Sequence, residues 1–284
     1  MFDNNYGNPA DLYDIQKTGE LGGTMLDIIT TEFQKIKRYN ILWVGVVAVI
    51  FSVLLAVFQI VSSNGSDPLT YESFVNGVIW NNFSLSFPFG ITLIGGYLIN
   101  REYTDQTIKN ILTVPISLRK LLVGKLIVVG GLTVLLSLFS FLCTVILGLI
   151  FCNINISVTL IVKSLVQILA VNLCCYVAVL PIIAYFGRKQ NAFLTGVGIA
   201  FVYGFCGVFV AGRNLTDFYP ITAGLGLVGY DNGTGSVYQP LIGVVTLVVI
   251  LILTTILLAF TPNYDKVMTT SKKKGTKHKK YSHK

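Results

Sequence analysis

The stretch Leu126–Ile150, LIVVGGLTVLLSLFSFLCTVILGLI, carries no charged side chain from end to end. A helix rises about 1.5 Å per residue, so roughly 20 apolar residues cover the hydrocarbon core of a bilayer. A surface helix of a soluble domain would place polar residues at nearly every turn. This run does not, and it is predicted to cross a membrane. Five further runs read the same way: Ile41–Val61, Val78–Ile99, Leu160–Phe186, Phe193–Gly212 and Leu241–Phe260. In lipid each segment must satisfy its own backbone amides, which these runs achieve as helices. The predicted fold is an all-α membrane protein with six transmembrane helices. Asn81, Asn82, Ser84, Ser86 and Pro88 interrupt the start of the second run. The shorter apolar stretch Phe218–Leu227 cannot cross, and is expected to make a re-entrant or interfacial turn on the outer side before the sixth span.

Of the 284 residues, 53% are hydrophobic and 12% charged, against roughly 25% charged in a typical soluble domain. One membrane domain, residues 21–262, is expected to account for nearly the whole chain. A polar extension (1–20) and a basic tail (263–284) flank it, leaving no room for a second, soluble catalytic domain. Cys143, Cys174, Cys175 and Cys206 fall in apolar runs, where cysteine behaves as a small hydrophobe. His278 and His283, the only histidines, sit in the tail. Neither a metal site nor a histidine-based triad is expected. The first apolar run begins near Ile41, after a polar stretch with Asp11, Asp14, Glu20 and Asp27. That is unlike a secretory signal peptide, so this segment is expected to remain in the membrane.

The positive charges set the orientation. With the N-terminus inside, all but Lys163 and Arg213 of the 21 lysines and arginines fall on the inner side. The inverted arrangement would translocate nearly all of them, so both termini are predicted to be cytoplasmic. The basic excess is spread over four inner segments rather than gathered in one groove with stacking aromatics, which argues against nucleic acid. The dense run Lys272–Lys284 favours anionic lipid headgroups or serves as a solvated anchor.

Two inner segments carry patterns of their own. Over Leu21–Tyr39, the residues Leu21, Met25, Ile28, Ile29, Phe33 and Ile36 share one face at helical spacing. Such a helix lies in the headgroup layer as an interfacial elbow, either coupled to a working cycle or as a plain lead-in. After the second span, Arg101–Leu112 is expected to form a short helix that Pro115 stops. On it Ile108, Ile111 and Leu112 make an apolar patch flanked by Glu102, Asp105 and Lys109. This suits docking into a cleft of a cytoplasmic partner, against the alternative of a simple loop.

The run Glu102…Thr107…Leu112…Pro115…Arg119…Lys125 resembles the first cytoplasmic loop of type-2 ATP-binding-cassette permeases, and Thr31–Leu42 is similar to the start of the same proteins. Those accompanying bacitracin or lantibiotic resistance in Gram-positive bacteria are the most alike. The resemblance implies that Glu102–Leu112 is a coupling helix docking on an ATPase, with Glu102, Asp105, Thr107, Ile108, Lys109, Ile111, Leu112 and Pro115 as its residues. It implies a cytoplasmic ATPase partner, a second permease copy or paralogue, membrane lipid around both, and a place in the bacterial cell membrane. It implies export of a bacitracin- or lantibiotic-like peptide or a lipid-associated compound, with Phe218–Leu227 as the outer re-entrant element. The polar extension Met1–Lys17 departs from the family pattern.

The energy source fits this expectation. No Gly-x-x-x-x-Gly-Lys-[Ser/Thr] loop occurs, since Gly124-Lys125 is followed by leucine and lacks the preceding glycine. ATP and magnesium are therefore expected in a partner subunit, and no cofactor in this chain. The spans hold no carboxylates of the kind ion-driven carriers use, and no His, Asp or Glu for intramembrane catalysis. The competing readings are a non-pumping immunity or sensor protein and a stand-alone secondary carrier. Within the spans, Gly196, Ala200, Gly204, Gly207 and Ala211 form a small-residue face, for packing inside the subunit or against a second one. Asn81, Ser84, Pro88, Thr92 and Gly95, beside Trp80, line a substrate path or accommodate a proline kink. Gln167 and Asn172 are expected to bond between helices.

Overall fold

The computed structural model describes residues 25–36, 40–62, 70–104, 118–152, 157–189, 192–211, 213, 215–230 and 238–260. They form helices joined by turns, and no strand. A short helix α1 (Met25–Ile36) precedes α2 (Ile41–Ser62), the first span. The second span is α3 (Tyr71–Asn81), a π-helical turn (Asn82–Ser86) and α4 (Phe87–Thr104) in continuous succession. Helices α5 (Leu118–Phe151), α6 (Val158–Phe186) and α7 (Phe193–Val210) are the next three spans. Turns and the short α8 (Ala223–Leu227) lead to the last span, α9 (Pro240–Ala259). Six of these helical stretches are long and apolar enough to cross, so the chain is a multi-pass membrane protein.

Two boundaries differ from expectation for physical reasons. The second span begins at Tyr71 rather than Val78, where the Thr70 hydroxyl caps the helix by accepting from the Ser73 amide at 3.2 Å. The third begins at Leu118 rather than Leu126. Its first turns are amphipathic, with Leu121 and Leu122 buried and Arg119 and Lys120 exposed, so they pack on the bundle as well as a span would. Of the expected coupling helix, Arg101–Thr104 continue α4 as its last turn. The extension 1–20, the tail 263–284 and Gly212 lie outside the described residues.

The second span is the least apolar of the six and the most enclosed: 78% of an 18-residue stretch of it is buried, against 11% of the corresponding stretch of α9. It packs on α2, α5, α6 and α7. Polar groups that lipid would leave unpaired, at several kcal/mol each, find partners there instead. Pro88 lacks an amide hydrogen and cannot bond Ser84 O in the α-helical manner. The backbone widens just before it, with the Phe87 amide reaching back to Asn82 O.

The outer expectation for Phe218–Leu227 resolves into turns followed by α8. Ile221 and Ala223–Gly226 are buried against α6 and α9, while Phe218 is exposed. Helix α8 ends where the Tyr230 amide reaches Leu225 O, with Gly229 at φ +61. Glycine adopts that left-handed angle without steric cost.

Candidate functional site

At the end of the bundle bearing Arg101, Lys125 and Arg188, α1 lies along the base of α5. The expected apolar face of α1 divides. Ile36 is buried and Ile29 packs against the core, but Met25 and Phe33 are exposed, and Leu21 lies outside the described residues. The side facing the protein instead includes Glu32, 4% exposed. Its Oε2 accepts from Lys125 Nζ at 2.6 Å, and its Oε1 from Lys35 Nζ at 2.7 Å. Lys125 is likewise 4% exposed, whereas the Lys35 side chain is 45% exposed. Burial alone would push the Glu32 carboxyl up. The charge and hydrogen bond of Lys125, joined by those of Lys35, outweigh it and hold the carboxyl below its ordinary range.

Glu32 escaped the sequence reading because an acid on an otherwise apolar stripe looks solvated. Its partner is 93 positions away. At the opposite end, Glu72 and Lys163 also pair at 2.7 Å, but both are about half exposed. A surface pair of that kind contributes little, in the range of about 0–1 kcal/mol. The residues expected to form a coupling helix fall at the end of α4 and between α4 and α5. Glu102 lies in the last turn of α4, whereas Asp105, Thr107, Ile108, Lys109, Ile111, Leu112 and Pro115 lie outside the described residues.

Inside the membrane the interrupting asparagines are tied to the first and third spans. Ser52 Oγ donates to Asn82 Oδ1 at 2.6 Å, and Asn82 Nδ2 donates to Ser140 Oγ at 3.1 Å. Asn81 and Gln59 exchange amide bonds at 3.2 Å, and Asn81 also donates to Ser52 O. Ser52, Gln59 and Ser140 were not singled out from sequence, since one hydroxyl or amide in an apolar run carries no signal alone. Of the expected path residues, Trp80 stands edge-on to Phe83 and Ser84 Oγ donates to Trp80 O at 2.7 Å. Pro88 packs on α7, and Thr92 Oγ1 is buried without a partner among the described residues. Asn81, Ser84, Pro88 and Thr92 are all buried.

The small-residue face of α7 packs inside the subunit. A Cβ on Gly204 would stand 2.5 Å from Ser84 O, and one on Gly196 would stand 2.6 Å from Phe186 Cβ. Gly207 sits over Ile221, Thr222 and Phe83; Ala200 is buried and Ala211 packs against the core. Gln167 bonds the backbone of the segment that follows α8, donating to Val228 O at 3.1 Å, rather than another span. Neither amide atom of buried Asn172 has a partner among the described residues.

This chain is 26% identical over 137 residues to the bacitracin transport permease protein BCRB of Bacillus licheniformis. The match takes in 47% of this chain and 65% of that relative, so the chain spans a little less than two thirds of the relative's length. Residues 28–207, from the middle of α1 to the last turn of α7, match the profile of the ABC-2 family transporter proteins. They include the Glu32–Lys125 contact, the polar centre of the second span and the glycine face that packs on it. With more than half of its length matched, the chain belongs to the ABC-2 transporter family.

Proposed function

We propose that the chain is the permease subunit of an ATP-driven exporter, working with a second permease and a pair of cytoplasmic ATPases that hold the ATP and magnesium. The observation that carries this reading is the family match over residues 28–207. The termini are placed in the cytoplasm, with the end bearing Arg101, Lys125 and Arg188 inside, on the strength of the charge asymmetry. ATP-driven closure of the ATPases would pull the segment between α4 and α5 and switch the pathway between its facing states. The cargo is a membrane-associated peptide antibiotic of the bacitracin or lantibiotic kind, by analogy with what the Bacillus relative's name says it transports. Phe218–Leu227 would then lie on the outer side as a re-entrant element.

The coupling segment supplies the test. Ile111→Glu puts a charge into the apolar patch, and Ile108→Pro breaks its helix. Each is expected to weaken co-purification of the ATPase on the order of a hundredfold, the effect of an unpaired charge at a docking interface. Transport should fall with it. Unchanged ATPase binding and transport in both variants would remove the coupling role.

A further inference from the structure

We propose that Glu32 is the shared jaw of a latch between α1 and the base of α5, closed by Lys125 and backed by Lys35. This rests on the permease reading and adds to it a part outside the expected coupling segment.

Three observations carry the latch. The Glu32–Lys125 contact is buried on both sides and joins two elements far apart in sequence, 2.6 Å across. It sits two turns into α5, whose first residue follows the proposed coupling segment, so a pull on that segment reaches Lys125 through a stiff helix. The carboxylate is also divided: Lys125 takes Oε2 and Lys35 takes Oε1. Lys35 stands one turn further along α1, the helix that carries Glu32, and travels with it.

That division distinguishes a latch from a fixed weld. A buried ion pair is no better for stability than well-packed apolar residues, and it becomes costly when one partner leaves. A weld between α1 and α5 would need only side chains like Ile36 and Leu122, which are already buried there. With Lys35 in place, α5 can draw Lys125 away and the buried carboxylate still keeps a cation. Without Lys35, the same motion strands the carboxylate. The exposed lysine therefore matters to movement, while adding little to the resting fold.

The test uses the full chain reconstituted with its ATPase, with spin labels at Gln34→Cys on α1 and Ile127→Cys on α5, both exposed positions. The wild-type sequence at Lys35 is expected to show a longer label separation on trapping with ATP and vanadate. Lys35→Met should melt with the parent yet show no lengthening, and its ATP turnover should fall about tenfold, because opening now leaves the carboxylate unpaired. Lys35→Arg should restore both. An assembled complex that hydrolyses ATP with a fixed separation, or a Lys35→Met variant that lengthens and turns over as the parent does, overturns the latch alone. A chain that binds no ATPase at all overturns the permease reading and the latch together.

Discussion

Valine in place of Gly204 is expected to destabilise the bundle by on the order of 3 kcal/mol, read as a lower midpoint in thermal or denaturant unfolding in detergent. The cause is local. Pro88 removes an amide hydrogen from the second span, and Ser84 O is turned toward α7. The backbone of α7 approaches that carbonyl so closely that a Cβ would stand 2.5 Å from the oxygen and 2.9 Å from the proline ring. A carbonyl and a proline held within a helix cannot swing aside as a flexible side-chain end would. The seam must open, uncovering the polar turn in the second span. Six residues earlier on the same helix, Gly198 is exposed, and a Cβ there meets nothing within 4 Å. Gly198→Ala should therefore stabilise, by up to about 1 kcal/mol, through helix propensity alone. Opposite signs on one helix are the signature of this packing. A Gly204→Val protein that melts with the wild type would mean that α7 is not seated on the π-turn.

Removing the carboxylate of Glu32 should have an effect of similar size. Glu32→Ala leaves the buried Lys125 ammonium without that partner, and breaking one side of a buried ion pair costs about 3–5 kcal/mol. Replacing both partners, as Glu32→Met with Lys125→Met, should recover most of the loss, because the pair's desolvation disappears along with its attraction. The stability of the pair also depends on pH in a fixed direction. Burial opposes ionisation, but Lys125 and Lys35 together hold the folded carboxyl below its ordinary value of 4.5. A depressed folded value means that the pair's contribution is complete above the unfolded value and is lost as pH falls through the folded one. The difference in melting between wild type and Glu32→Gln should therefore be constant near neutrality and shrink once pH drops below 4.5. A difference that grows with acidity would contradict the pairing.

What could be read from sequence follows the range of the physics involved. The six spans are legible because lipid imposes a requirement on each segment separately: enough consecutive apolar residues to cross, with every amide bonded internally. The second span is harder to read: Glu72, Asn76 and Gly77 hide its first turns, and Asn81 and Asn82 look unsuited to a membrane. Their fitness depends on Ser52, Gln59 and Ser140 in two other helices. The glycine face of α7 was visible as a pattern, but what it covers was not, because the pattern records only that something comes close. Ser84 O, freed by a proline on a different span and far from Gly204 in the chain, could be found only in three dimensions. Glu32 marks the same limit at the basic end. On the helix it shares a side with Ile29 and Ile36, yet its meaning comes from Lys125.

As a permease, this chain is expected to move its cargo only when an ATPase drives it. The most direct measurement is bacitracin flux in proteoliposomes holding the chain with its ATPase, compared with the same vesicles carrying a catalytically dead ATPase. The prediction is ATP-dependent flux with the active enzyme and none with the dead one. Equal flux in both preparations, with or without ATP, would contradict it and leave a chain that carries its substrate unaided.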